Sequence, residues 1–462
     1  MKLKKTLVLV AAFAALLAFV LVFESREKKA GMEKEKSEKL VDLASADVTR
    51  VQLKREDERL TFEKNEKGEW TITEPVAARA DSYEVNNLVE GFADLSFEKI
   101  VEEQAADPSV YEIPKKEILL WVKGQDTPVS ILTGMENPID KTYYAKRGDE
   151  ARVVLIAGNK GTILDKKLLD FRDKSAFKFE TGEVKAMKVK TKDAGWEVRQ
   201  TGDGWFFDMP FKALAKKSSI DSMISALSNL RAKEFLSEAK TPQDLENFGL
   251  DEPAYRISLS LPAAGKTIVF ALSKRGDDVY ASSSDSDKII SCDSYVLGDF
   301  DKPPSDLREK QVAQFSSWEV EKLDIRRGET VITAVRQKDD QEGERWFSPG
   351  DEKKELDKAK VDELIRKLEY LQAAGFIDQP GPPSETGLDQ PQAEITILTQ
   401  ETEGGTSEVK LLVGKEITDK KQLILKNARL DYLFLVEPSL LDQIPKEAGD
   451  WSKDGKEPDA GT

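Results

Sequence analysis

One unit is written three times in this chain, and three tryptophans set its register. Trp70 stands in E-W-T-I-T-E-P, Trp205 in G-W-F-F-D-M-P and Trp346 in R-W-F-S-P. Fifteen residues after each tryptophan an amphipathic stretch begins, with Val85, Leu88, Phe92 and Leu95 in the first copy. Ile220, Met223, Leu227 and Leu230 repeat it, as do Val361, Leu364, Leu368 and Leu371. The spacing i, i+3, i+7, i+10 lays a single apolar stripe along a 3.6-residue helix. Ile100, Phe235 and Phe376 then match again. The tryptophans lie 135 and 141 residues apart (205 − 70 and 346 − 205). That is the size of a whole domain and far longer than a solenoid unit, so each copy can bury a core of its own.

A second landmark follows each helix. It reads Gly249-Leu250-Asp251-Glu252-Pro253 in the second copy and Gly387-Leu388-Asp389-Gln390-Pro391 in the third, with Val110-Tyr111-Glu112-Ile113-Pro114 as its worn form in the first. Glycine supplies positive φ, aspartate a local side-chain bond and proline a fixed φ, which together make a turn. Strand-like stretches begin at Ile118, Ile257 and Ile395, and Phe171-Arg172-Asp173-Lys174 matches Leu307-Arg308-Glu309-Lys310 at the ends of the first two copies. Alternation before each tryptophan, as in V-T-R-V-Q-L-K and R-L-T-F-E-K, predicts a three-stranded meander. Each unit thus reads as three strands, a helix, several more strands and a short helix, an α+β domain with antiparallel sheet. The expected copies are 45–178, 179–312 and 313–453, with a polar, disordered tail at 454–462.

Ahead of the repeats, Thr6 to Phe23 is an 18-residue run without a charge, and Lys2, Lys4 and Lys5 precede it. As a helix it would be about 27 Å long, enough for a bilayer core. Its lipid-facing candidates are Leu7, Val8, Leu9, Val10, Phe13, Leu16, Leu17, Phe19, Leu21 and Phe23. No A-x-A-like site follows the run, which favours an uncleaved signal anchor over a cleaved secretory signal. The expectation is a single-pass bacterial inner-membrane protein: a basic cytoplasmic stub (1–5), a transmembrane helix (6–23), a charged linker (24–44) and an extracytoplasmic, periplasmic remainder.

Composition narrows the chemistry. The chain has no histidine and a single cysteine, Cys292. Histidine-based nucleophile systems and the usual zinc sets cannot be assembled, and no intramolecular disulfide can form. A net charge of −16 argues against a nucleic-acid partner. Gly265-Lys266-Thr267 resembles the end of a phosphate-binding loop, but Ser260 stands where that motif needs glycine, so a hairpin is the better account. Asp251 and Asp389 could be imagined as paired catalytic carboxylates, yet their position between glycine and proline fits the turn. Asp285, Asp287 and Asp293 offer hard ligands, but Ile289, Ile290 and Val296 break the calcium-loop pattern. The three tryptophans could stack on sugars, while recurrence at one register of a strand fits a core anchor better. No catalytic, cofactor-binding or metal residue emerges, and no enzyme is expected.

Taken with the anchor, the marks at Trp205, Ile220 to Leu230, Gly249 to Pro253 and Leu307 to Lys310 make the chain resemble the bacterial domain-of-unknown-function family 4340. The resemblance implies membrane-anchored proteins encoded beside gliding-motility-type ABC transport systems, and it supplies no catalytic residues. The functional expectation is a binding or scaffold protein contacting ABC transporter subunits or their extracytoplasmic partner. The alternatives are a peptidoglycan- or polysaccharide-binding repeat array and, least favoured, a histidine-independent carboxylate hydrolase.

Overall fold

The computed structural model describes residues 39–452 except 203, 340–342, 350–353 and 401–404. Its framework is three nine-stranded antiparallel sheets, one for each tryptophan-led copy. Counting the nine strands of each sheet along the chain, the spatial order is fourth, third, second, first, sixth, seventh, eighth, ninth, fifth in all three. Two four-stranded meanders therefore meet where the first strand pairs with the sixth, as Val51 does with Leu120, Met187 with Leu259 and Leu323 with Ile397. The fifth strand closes the far edge against the ninth.

Alternation explains why these segments are strands. In Ala186–Lys190 the side chains of Met187 and Val189 are fully buried, whereas Lys188 points outward to Glu197 on the neighbouring strand, 3.1 Å away. Between the fourth and fifth strands, at opposite edges of the sheet, runs one twelve-residue helix per copy: α1 (Ser82–Ala93), α2 (Lys217–Ser228) and α3 (Lys358–Glu369). Its stripe carries each helix across the sheet face, and Val85, Leu88, Ile220, Leu227, Val361 and Leu368 are all completely buried. The last members of the stripe, Leu95, Leu230 and Leu371, lie beyond the helix ends yet remain buried. Period alone overran the helices because the chain leaving them still faces the same core.

The expected α+β class is corrected. The described residues are dominated by the three sheets, and helix is a minor element. The helical stripe is a loud signal, while the fourth strands are two or three residues long (Ala78–Arg79, Ala213–Ala215, Glu355–Leu356) and too short to show alternation. The meander before each helix is thus four-stranded, not three-stranded. The end of the expected linker is a strand as well: Lys39–Asp42 pairs with Asp94–Ser96 and buries Leu40 and Val41.

The single-pass membrane localisation is also corrected. Among the described residues no helix is long and apolar enough to cross a membrane. The three main helices have twelve residues, about 18 Å, and each has a polar face. The expected span at 6–23 lies outside the described residues, as do the tail from 453 and the linker before Lys39. The chain divides into two compact units, one ending at Ala176 with the first sheet and one beginning at Phe177 with the second and third.

Candidate functional site

The residues singled out by repetition are where each copy locks its own fold. Trp70, Trp205 and Trp346 begin or sit within the third strands and are 3%, 2% and 0% exposed. Each indole N–H donates to a side-chain oxygen sixteen residues later: Asn86 at 2.7 Å, Asp221 at 2.9 Å and Asp362 at 2.9 Å. The bond ties the third strand to the helix and satisfies a donor that burial would otherwise strand. No indole face is left for a sugar. Sequence reasoning missed these partners, although an Asn or Asp sixteen residues after each of these three tryptophans was there to be read. Lys64 and Arg336 cover the rings of Trp70 and Trp346 at 4.9 and 4.7 Å.

The glycine landmarks are left-handed turns, with φ of +64° at Gly249 and +71° at Gly387. The N–H of the following residue reaches back five positions, Leu250 to the Leu245 carbonyl at 2.7 Å and Leu388 to that of Pro383 at 2.9 Å. In the first copy the same bond runs from Ile113 to Pro108, and the left-handed residue is Glu112 at φ +55°. Alignment on the proline therefore misplaced the first copy by two residues. Asp251 and Asp389 are exposed, each on the turn of its own sheet, and Pro253 and Pro391 are half-buried beyond them.

The other weighed motifs resolve locally. Gly265 closes the hairpin between Tyr255–Leu261 and Lys266–Arg275 with φ +62°. Lys266 binds Asp285 at 2.8 Å, and Lys240 occupies the Ser283 carbonyl of the same tip at 2.6 Å. Cys292 is fully buried, its thiol 3.4 Å from the Val279 carbonyl, and burial pushes its pKa up to about 12. Among the described residues no group of three or more such side chains is arranged to hold a metal ion.

The copy-end match acquires a purpose. The N–H groups of Asp81 and Lys216, at the entrance to α1 and α2, donate to the carbonyls of Phe171 and Leu307. Asp357 does the same to Trp451, at 2.7 Å, so the third copy ends on Trp451-Ser452. Trp451 is 3% exposed and belongs to the core. After Leu307 the chain passes into the third copy with Arg308, whose residue is 4% exposed. Its guanidinium lies over Phe376 at 3.7 Å, Phe211 at 4.5 Å and Tyr432 at 5.0 Å, and it binds Asp378 at 2.7 Å. Nε and Nη2 are buried without hydrogen-bond partners, leaving the ring faces as their company.

Beside this cage the second and third copies enclose an open cleft of about 410 Å³. Arg199, Phe206, Asp208 and Lys212 line one side, and Arg429, Leu430, Asp431 and Tyr432 the other. Asp208 accepts from Arg199 Nε and Nη2 at 3.1 and 3.0 Å and from Lys212 at 3.1 Å. Those bonds, Arg199 first, hold its carboxyl down at about 2 against the opposing effect of burial. The Tyr432 hydroxyl accepts from the Leu214 N–H at 3.4 Å, and burial raises its pKa to about 12. The cleft offers paired charges around an aromatic floor, a surface suited to holding a partner through many weak contacts.

Comparison with known proteins adds a family. The description "Domain of unknown function (DUF4340)" matches residues 70–236 and again 205–391, each match opening on one of the tryptophans. No curated protein matches the chain. A DNA polymerase sliding clamp from Pseudomonas aeruginosa, solved with ligand, is similar at 7% identity over 86% of this chain and 93% of its own, with a TM-score of 0.16. A second structure of that clamp covers 86% and 94% at 8% identity, with a TM-score of 0.15. Scores that low assign neither fold nor role.

Proposed function

Because the chain belongs to the DUF4340 family, whose match here follows a repeated scaffold, we propose that it is a non-enzymatic binding or scaffold protein. Its partner in this reading is a multisubunit transport complex of the ABC type, or a protein that such a complex handles. One observation carries the proposal. The polar groups common to the copies, the indole N–H groups with Asn86, Asp221 and Asp362, are spent on holding strand to helix. What remains for function is surface, above all the cleft where the second and third copies meet.

The test is crosslinking in intact cells, purification of the full chain and identification of attached proteins by mass spectrometry. Recovery of ABC permease or ATPase subunits supports the proposal. Consistent recovery of glycan fragments without protein, or of nothing, refutes it.

A further inference from the structure

The third copy carries a surface that the other two lack. Trp318 is 65% exposed and Tyr370 72% exposed. Trp318 is the middle residue of the turn Ser317–Glu319 that leads into the sheet, and Tyr370 caps the C-terminus of α3. Their segments are tied together where the Ser317 N–H donates to Glu369 Oε1 at 3.2 Å. Arg336 pins the same turn from below, donating to the carbonyls of Trp318 at 2.9 Å and Ser317 at 2.7 Å. A small cavity of about 160 Å³ opens here, lined among others by Trp318, Arg336, Glu344, Asp362 and Arg366.

Charge accounting gives the cavity a sign. Asp362 is committed to the Trp346 indole and Lys358, and Glu344 lies within 3.8 Å of Arg336 and Lys338. Arg366, one helical turn before Tyr370, is exposed and makes no ion pair among the described residues. An arginine fork without an ion pair, sharing its cavity with the exposed Trp318 and one helical turn from the exposed Tyr370, is the composition of a protein-binding hot spot. The corresponding positions elsewhere hold different chemistry. Ala46 and Gly182 occupy the place of Trp318, and Asp94 and Asn229 that of Tyr370. Glu90 and Ser225 stand at the register of Arg366, so the first copy would repel an anion that the third attracts.

Resting on the scaffold reading above, we propose that Trp318, Arg366 and Tyr370 form a docking surface for an acidic, extended segment of the protein partner. Apolar side chains of the segment lie against the two rings, and a carboxylate takes the Arg366 guanidinium. Charge complementarity selects this occupant, since the cavity is lined by Arg336, Lys358 and Arg366 against only Glu344 and Asp362.

The experiment titrates the full chain with a labelled eight-residue peptide alternating glutamate and leucine, its glutamine–leucine analogue and, separately, a neutral chitin oligosaccharide. Binding of the glutamate peptide is expected, weakened about 10-fold or more by Arg366→Glu and by Trp318→Ala, as loss of one charge-assisted contact or aromatic anchor implies. It should weaken further between about 0.05 and about 0.5 M salt. Both variants should melt with the wild type, since the side chains are exposed. No binding of the glutamate peptide, equal binding of its glutamine analogue, undiminished binding by Arg366→Glu, or binding of the oligosaccharide alone overturns the proposal. The cell crosslinking separates this failure from that of the scaffold reading: partners recovered equally by Arg366→Glu reject the surface and keep the scaffold, whereas no partner with wild type rejects the scaffold itself.

Discussion

Replacing Arg308 should uncouple the second copy from the third, and the contacts around it set the size of the effect. The guanidinium is nearly sealed from water, faces three aromatic rings between 3.7 and 5.0 Å and binds Asp378 at 2.7 Å. Desolvated cation–π contact is worth about 2 kcal/mol, and a charge-assisted hydrogen bond about 1.5–3 kcal/mol. Against them stands the cost of keeping a guanidinium out of water with Nε and Nη2 unpartnered. Asp378 is 40% exposed and can rehydrate when the arginine is gone, so Arg308→Ala should cost about 3 kcal/mol, the low end for breaking a buried pair. Arg308→Met keeps most of the volume and removes the desolvation cost, and should fall within about 1 kcal/mol of wild type. The assay is amide hydrogen exchange at the splice between the copies, where Val312 donates to the Leu371 carbonyl and Ala373 to that of Lys310. A loss of about 3 kcal/mol corresponds to roughly 100-fold faster exchange there. Amides of the first sheet should be unmoved. If Arg308→Ala leaves these amides fully protected, the cage is not what joins the copies. If Arg308→Met is as damaging as Arg308→Ala, the charge matters more than this balance allows.

Four further outcomes follow from local geometry. Lys216 occupies the α2 N-cap with φ −66° and ψ 105°, nearly the backbone of the capping Asp81 and Asp357, so Lys216→Asp should stabilise the second unit by about 1 kcal/mol in denaturant unfolding. A Cβ on Gly134 would meet the Tyr111 carbonyl oxygen at 2.0 Å, and Gly134→Ala should destabilise the first sheet by about 2 kcal/mol or more in the same assay. Cys292 should resist an aromatic disulfide reagent at about pH 8 until the second unit unfolds, because burial both hides the thiol and keeps it protonated. Asp208 has a folded pKa of about 2 against an ordinary 3.8, so its carboxylate contributes stability that is present above about pH 4 and lost as pH falls towards 2; the melting temperatures of wild type and Asp208→Asn should converge over that window.

The sequence revealed what is periodic and concealed what is pairwise. The helical stripe and the strand alternation were legible in all three copies and the glycine turn in two, because each repeats a local rule. The indole bonds to Asn86, Asp221 and Asp362 join residues sixteen apart through a single contact, a spacing that shows only when the three copies are laid side by side. The left-handed turn of the first copy was misplaced because glutamate at position 112 adopts a conformation that glycine signals elsewhere. Trp451-Ser452 escaped notice as the third copy's return segment because its role is a backbone bond to Asp357, and any residue can supply a carbonyl. The cage around Arg308 was hidden for a different reason. Its four partners come from Phe211, Phe376, Asp378 and Tyr432, which only the docking of two sheets brings together.

What varies among the copies bears on function more directly than what repeats. A core anchored by the same tryptophan bond in every copy tolerates little change, since a stranded indole donor costs about 1–3 kcal/mol. At the rim the constraint is uneven: Trp318 and Tyr370 are exposed, whereas Asp94 of the first copy is bound by Lys39 and pairs with Asp42. At the entrance turn Ala46, Gly182 and Trp318 differ in size on similar backbones, and at the helix end Asn229 and Tyr370 share one backbone (φ −95°, ψ 9° and φ −97°, ψ 9°), whereas Asp94 leaves it at ψ 66° to start a strand. Three scaffolds of one strand order with unequal rims offer three different surfaces. Under the docking proposal, giving positions 318 and 366 their first-copy counterparts, Trp318→Ala with Arg366→Glu, should abolish partner recognition and leave the fold intact, since both side chains are exposed.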